Sequence, residues 1–257
     1  MFQPYSILEK QFCVKMINRL LISLSAILTL GILPQIALAQ INQAKVTEII
    51  DGEDVYIEKE PAAVEDTANL GQYVETEEAR AGLEFNNGAA GRIGTNSQVI
   101  VGQCIDVQQG EILVSGPANG CIGGFSVGVQ GTLYILETNA DGTGNIKVLE
   151  GTVEITEEDE EAEPITLTEG QKISILSGIL GEIQQITSEE FAAIVAGPLF
   201  SGFNIPITPS GLLQSTCSRL FPVGFRCSSN GVPTPIVPRP SVPTPSIPGP
   251  SIPGSPF

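Results

Sequence analysis

Histidine and tryptophan are absent from this 257-residue chain, and aromatic residues of every kind make up only 5% of it. Without histidine there is no imidazole to act as the base of a Ser–His or Cys–His pair, or as a nitrogen ligand for zinc. Without tryptophan, a sugar site built by stacking on aromatic faces is disfavoured. Positive charge is scarce too: 12 Lys and Arg stand against 29 Asp and Glu, a net charge of −17. Such a surface repels phosphate backbones and anionic headgroups, so nucleic acid is a poor partner. The acidity fits the solubility of an exported protein, and a cationic partner is the sharper reading. The five cysteines include no C-x-x-C pair, which disfavours a metal site.

What is present begins with one apolar run. Leu20 to Leu33 follows Lys15 and Arg19 and leads to Ala37-Leu38-Ala39, a small-x-small cleavage pattern. This is the layout of a secretory signal cut after Ala39, and the run is short for a spanning helix. Residues 1–15 are either an upstream extension or a long basic n-region. The mature chain is expected to start at Gln40, to keep no integral membrane segment, and to reside in the periplasm or outside the cell. Processing leaves nine basic and 28 acidic residues, net −19, and four cysteines: Cys104, Cys121, Cys217 and Cys227. An even number in an oxidising compartment suggests disulfides. Of the three pairings, Cys104–Cys121 and Cys217–Cys227 join near neighbours, each bracketing a turn-rich loop. Buried free thiols are the alternative.

Residues 40–186 alternate apolar and polar positions with period two, punctuated by glycine. "KVTEII", "VYIEK", "ANLGQYVET", "AGLEFNNGAAGRIG", "SQVIVG", "CIDVQQGEILVSG", "FSVGVQGTLYILE", "NIKVLEGTVEIT", "PITLTEGQKISIL" and "GEIQQI" read as about ten short strands, with Asn87-Gly88 as a hairpin turn. The expected fold is a single all-β domain: a β-roll, a short β-helix or a sandwich. At 187–231 the pattern changes. Thr187 and Glu190 fit a capping box, Phe191, Ile194 and Val195 form one stripe, and Gly197-Pro198 ends a short helix. The rest of that segment reads as irregular. Residues 232–257 form a proline-rich tail, in which "VPTP" and "SIPG" each occur twice. Proline has no backbone donor, so this tract is expected to be disordered and extended, forming neither helix nor ladder. It would serve as a spacer or as a ligand for an aromatic groove.

These segments, in order, resemble the FecR-domain family of bacterial periplasmic proteins. The family's Leu-x-x-Gly opening is approximated by Leu70 to Thr76, and its Leu-x-Phe-x-x-Gly hairpin by Leu83, Phe85 and Gly88. Its Val-x-Val-Arg-Gly-Thr-x-Phe strand is approximated by Val127, Val129, Gln130, Gly131, Thr132 and Tyr134, with Gln130 at the usual arginine position. Val148 to Val153 and Leu167, Gly170 and Gln171 complete the series, which spans roughly residues 45–176. On its own residues, "SVGVQGTLYILE" reads as one central strand bent at Gln130-Gly131. Thr132 would bond the backbone freed by the bend, and Gly131 would be the residue least open to replacement, because a side chain would meet neighbouring backbone or force a disallowed φ.

No catalytic constellation is legible, and no cofactor or metal is implied. The acidic run Glu157 to Glu163 reads as a solvated loop. "NADGTGN" lacks the Asp spacing and closing Glu of a calcium loop. The expected function is an exported, non-enzymatic binding or scaffold protein of the cell envelope, contacting a protein or cell-wall partner. The family resemblance implies an alternative, a periplasmic sensor linking an iron–siderophore receptor to a sigma factor. In that alternative the chain departs from the family regulators, with only 19 residues before its apolar run.

Overall fold

The computed structural model describes residues 40–157 and 163–237. The signal segment with Ala39, the middle of the acidic run and most of the proline-rich tract lie outside the described residues.

The alternating segments build two packed sheets. Sheet A has the order β4 (Thr67–Asn69), β1 (Gln43–Ile50), β6 (Arg80–Phe85), β7 (Ala90–Ile93), β9 (Ile105–Gly116), β12 (Thr132–Thr138), β13 (Gly144–Glu150) and β16 (Gln171–Leu176). The short strands β17 (Ile179–Leu180) and β18 (Gln184–Gln185) pair with β16. Sheet B has the order β3 (Glu60–Pro61), β2 (Val55–Ile57), β5 (Tyr73–Thr76), β8 (Ser97–Ile100), the start of β9, β10 (Gly120–Ile122), β11 (Phe125–Val129), β14 (Thr152–Glu157) and β15 (Ile165–Thr168). Within these sheets only β9 with β10 is parallel. Strand β9 serves both sheets: Asp106 and Val107 pair with β8 in sheet B, and Gly110 to Gly116 pair with β12 in sheet A. The domain is all-β, with its strands in two connected layers.

Eighteen strands replace the ten segments largely because glycine divides five of them. Breaks at Gly71, Gly88, Gly131, Gly151 and Gly170 each separate two strands. At Gly88 the break is the anticipated Asn-Gly hairpin, within sheet A. At the other four the chain leaves one sheet and enters the other, as strands do at the corners of packed sheets. Alternation then sends every second side chain between the layers. Val127, Tyr134, Leu136, Ile146, Val148, Val153 and Ile155 meet there in one core with Leu83 and Phe85.

The opposite side of sheet A carries a second core. Leu113, Leu133, Ile135 and Leu149 point outward onto Phe191 and Val195 of helix α1 (Ser188–Ala196), Leu199 and Cys217. Helix α1 starts as its cap predicts: the Thr187 hydroxyl accepts from the Glu190 N–H at 3.1 Å. The Glu190 carboxylate turns to Lys172 instead, at 2.7 Å. Burying Phe191 completely contributes on the order of 1.5–3 kcal/mol.

Three elements lie in stretches expected to be irregular or extended. Helix α2 (Leu212–Leu220) begins at Gly211 with no side-chain cap. Downstream, β19 (Phe225–Cys227) pairs with β20 (Pro233–Pro235), the first residues of the proline-rich tract. That tract therefore does enter a ladder at its start. Alternation with proline permits it: Val232 and Ile236 donate toward the hairpin, to Ser228 Oγ and to the Gly224 carbonyl, while the missing N–H groups of Pro233 and Pro235 fall on the edge side.

Candidate contact surface

Val127 and Val129 lie in β11 of sheet B with their side chains buried, whereas Thr132 and Tyr134 lie in β12 of sheet A. Gln130 and Gly131 are the exposed corner between them. The stretch is thus two strands in two sheets and not one bent strand. Gly131 has φ +68°, which favours glycine, but a Cβ there would meet nothing within 4 Å. The expected clash is absent because the corner points into open space. Thr132 does not bond the freed backbone either: its hydroxyl is buried without a partner. Tyr134 is fully buried and donates to the Ala118 carbonyl at 2.6 Å. Burial pushes its phenol well above the ordinary range.

Cys104 is bonded to Cys121, and Cys217 to Cys227. The first bridge stands beside the parallel β9–β10 pair. The second ties α2 to the β19–β20 hairpin, so it holds together the cap that α1, α2 and this hairpin form over sheet A. In the loop between β12 and β13, Asp141 accepts from both the backbone N–H and the hydroxyl of Thr143, at 3.0 and 2.6 Å. It therefore acts as a turn former. Among the described residues no group of three or more His, Cys, Asp or Glu is placed to hold a metal ion. No described helix is long and apolar enough to cross a membrane.

The polar cluster that sequence reading missed lies under the cap. Arg92, 5% exposed, donates to the carbonyls of Leu199 and Ile205 at 2.9 and 2.7 Å. Arg80 donates to the carbonyls of Pro198 and Ser201 and pairs with Asp51. The Phe203 ring lies 4.4 Å from the Arg92 guanidinium carbon and 5.4 Å from that of Arg80. Glu48 accepts from the backbone and side-chain nitrogens of Asn204, each at 2.7 Å, and from Ile205 N–H at 3.2 Å. Burial opposes the Glu48 charge, but these hydrogen bonds and Arg92 outweigh it and hold its carboxyl below the usual range. Burial pulls Arg92 down to about 10, with Arg80 adding to this and Glu48 opposing it. All these groups are committed to fastening the 198–205 segment onto sheet A. Nothing local signals the cluster, since Glu48, Arg80 and Arg92 lie more than 100 residues from the 198–205 segment that they hold.

A second charged row crosses sheet A. Lys147 pairs with Glu137 at 2.5 Å, and Lys172 with Glu190 at 2.7 Å. Glu111 stands opposite Glu137 in register. Its carboxyl is pushed up by burial and by Glu137, with Lys147 and Arg80 opposing.

The two sheets differ sharply in charge. Sheet A holds Lys45, Arg80, Arg92, Lys147 and Lys172, while no strand of sheet B contains a lysine or arginine. They differ in cover as well. The cap packs its buried residues on sheet A, and among the described residues neither helix joins a buried cluster with sheet B, whose outer face is crossed by the Cys104–Cys121 bridge. That face presents Tyr56, Tyr73, Glu75, Gln98 and Ile100, half-buried, then exposed Thr152, Glu154 and Thr166. Glu77 above all, then burial, Asp54 and Glu75, raise the Tyr56 phenol.

Comparison with known proteins gives a narrow result. No family model matches the chain. No curated protein matches it. The chain does have a distant, partial structural likeness. It is shared with two structures, at 1.65 and 2.50 Å, of a candidate anti-sigma factor from Parabacteroides distasonis, with TM-scores of 0.41 and 0.39. Each is 13% identical, covers 58% of this chain, and is itself covered over 74% and 73% of its length.

Proposed function

We propose that this chain is an exported, non-enzymatic module of the bacterial cell envelope that works by contacting another protein. The observation that carries this reading is the asymmetry of the two sheets. Sheet A is sealed by a stapled cap whose polar groups are spent on fastening it, and sheet B presents a polar face that neither described helix covers. The signal-like segment ending at Ala39 and the two disulfides support an oxidising compartment. In this reading residues 40–186 are the contact domain, 187–231 its cap, and 232–257 a spacer or anchor.

The ordered FecR-like motifs support a second reading, the periplasmic sensing part of an iron–siderophore signalling system. Both readings use the same domain and differ in its partner. Affinity capture by the full chain from its own envelope fraction, followed by mass spectrometry, tests them. A reproducibly retained protein is expected, and an iron–siderophore receptor among the retained proteins selects the second reading. Retention of nothing above a reduced, unfolded control would contradict both. N-terminal sequencing of the exported protein should begin at Gln40.

A further inference from the structure

The geometry points to the outer face of sheet B as the docking surface for a cationic polypeptide, a partner that presents lysine or arginine side chains. This rests on the contact-module reading and adds the surface and its chemistry.

Charge alone does not make the case, because an acidic surface also serves solubility. The arrangement on the face goes further. Tyr56 of β2 lies opposite Glu75 of β5, and Tyr73 lies two residues from Glu75 on the same strand face. Tyr73 in turn lies opposite Ile100 of β8. A carboxylate flanked by two tyrosine rings, with an aliphatic side chain alongside, suits a lysine or arginine. The rings attract the cation, the carboxylate pairs with it, and the apolar strip receives its methylene stem. Glu154, opposite Gly128 and Thr166, is a second carboxylate of this face on β14, on the far side of the Cys104–Cys121 bridge from Glu75.

The edges of sheet B are poorly suited to strand addition, which leaves the face. At one edge β15 has four residues, and the Thr168 N–H is taken by the Gln171 side chain at 2.8 Å. At the other, β3 has two residues and one is Pro61, which has no N–H. The groove of about 350 Å³ between β6, β7 and the 203–207 segment is a weaker candidate, because its buried charges Glu48 and Arg92 already have partners.

The test is a fluorescence-anisotropy titration of the full mature chain with a labelled peptide of alternating lysine and threonine, and with its glutamate counterpart. The wild type should bind the lysine peptide in low salt, more weakly as salt rises, and should ignore the glutamate peptide. Glu75→Lys with Glu154→Lys should weaken binding at least about tenfold, or about 1.4 kcal/mol. Glu84→Lys with Glu182→Lys, an equal charge change away from this face, should weaken it no more than about twofold. Tyr56→Ala with Tyr73→Ala keeps the charge and should still cost several-fold, which a purely electrostatic surface would not show. Should the first variant fold poorly by circular dichroism, Gln98→Lys with Thr166→Lys replaces it with the same expectation. No binding of the lysine peptide, or equal losses in the two charge-reversal variants, overturns the inference. If the partner captured from the envelope is retained by the Glu75→Lys/Glu154→Lys variant, the contact-module reading stands and only this face and chemistry fall.

Discussion

Gly151 packs against Thr132 where two neighbouring corners touch: a Cβ on Gly151 would stand 2.7 Å from Thr132 Cγ2 and 3.3 Å from its Cα. Gly151 also has φ +86°. The corner at Gly131 has the positive φ without the crowding. The stacking of corners, more than any single bend, is what places this part of the fold under steric control.

Gly151→Ala should therefore cost about 2–4 kcal/mol, since it combines a strained φ with a contact that backbone atoms cannot fully yield, and Gly131→Ala about 1 kcal/mol from φ alone. Thr132→Ser removes Cγ2 and should recover part of the Gly151→Ala loss but none of the Gly131→Ala loss. Urea melts of the single and double variants read this as a coupling energy. Equal costs at the two glycines would show that the corners do not press on each other.

Gln130 lies at an exposed corner, so Gln130→Ala and Gln130→Arg should each stay within about 0.5 kcal/mol of wild type in the same melts. A larger loss would mean that the corner side chain carries an interaction of its own.

Two glutamates should respond to pH with opposite sign. The folded Glu48 carboxyl lies below its unfolded value of about 4.3. Its contribution is present above that value and is lost as pH falls through it toward the folded value. Glu48→Gln should thus destabilise at neutral pH by about 1–3 kcal/mol, and the gap should shrink as pH falls below the unfolded value. For Glu111 the folded value is raised, so its contribution is greatest below the unfolded value and declines as pH rises through the folded one. Glu111→Gln should match or exceed wild type at neutral pH and converge with it in acid. Urea melts at neutral and acid pH decide; a Glu48→Gln deficit that grows in acid contradicts the assignment.

The two bridges should fail differently. Each closes a loop whose constraint is worth about 3 kcal/mol in the chain-entropy account. Cys217→Ser with Cys227→Ser should raise amide exchange in α1, α2 and β19 while the inter-sheet core stays protected, because Cys217 packs from α2 into the outer core and not between the sheets. Cys104→Ser with Cys121→Ser should act on β9, β10 and β11. Exchange measured by mass spectrometry separates the two, and uniform loss in both variants would show that cap and sandwich unfold as one unit.

The strands were legible because each obeys a local rule, alternation with period two, and so was α1, because Thr187 and its stripe lie within one turn or two. Glycines in the middle of segments were legible as interruptions. Whether an interruption is a bulge or a change of sheet depends on which strands lie alongside, and no local pattern encodes that; Gly131 and Gly151 illustrate it. Helix α2 gave no start signal, since Gly211 offers no capping side chain; its stripe of Leu213, Cys217 and Leu220 does lie at helical spacing and packs into the outer core, but it follows a stretch rich in Gly, Pro and Ser. The Glu48, Arg80, Arg92 and Phe203 cluster was invisible for a similar reason. Each residue is ordinary in its own strand or loop, and only the fold brings them together. The open face of sheet B was half visible: its polar positions were readable, but the absence of Lys and Arg becomes a property of one face only once strands are assigned to sheets.

The most direct test of the account is photo-crosslinking in the intact envelope from a reactive amino acid placed at Gln98, on the face of sheet B, or at Glu182, beyond the far edge of sheet A. A discrete protein adduct from position 98 and none from position 182 is the predicted result. An adduct from position 182 alone, or none from either, would contradict the claim that this protein works through the uncovered face of its second sheet.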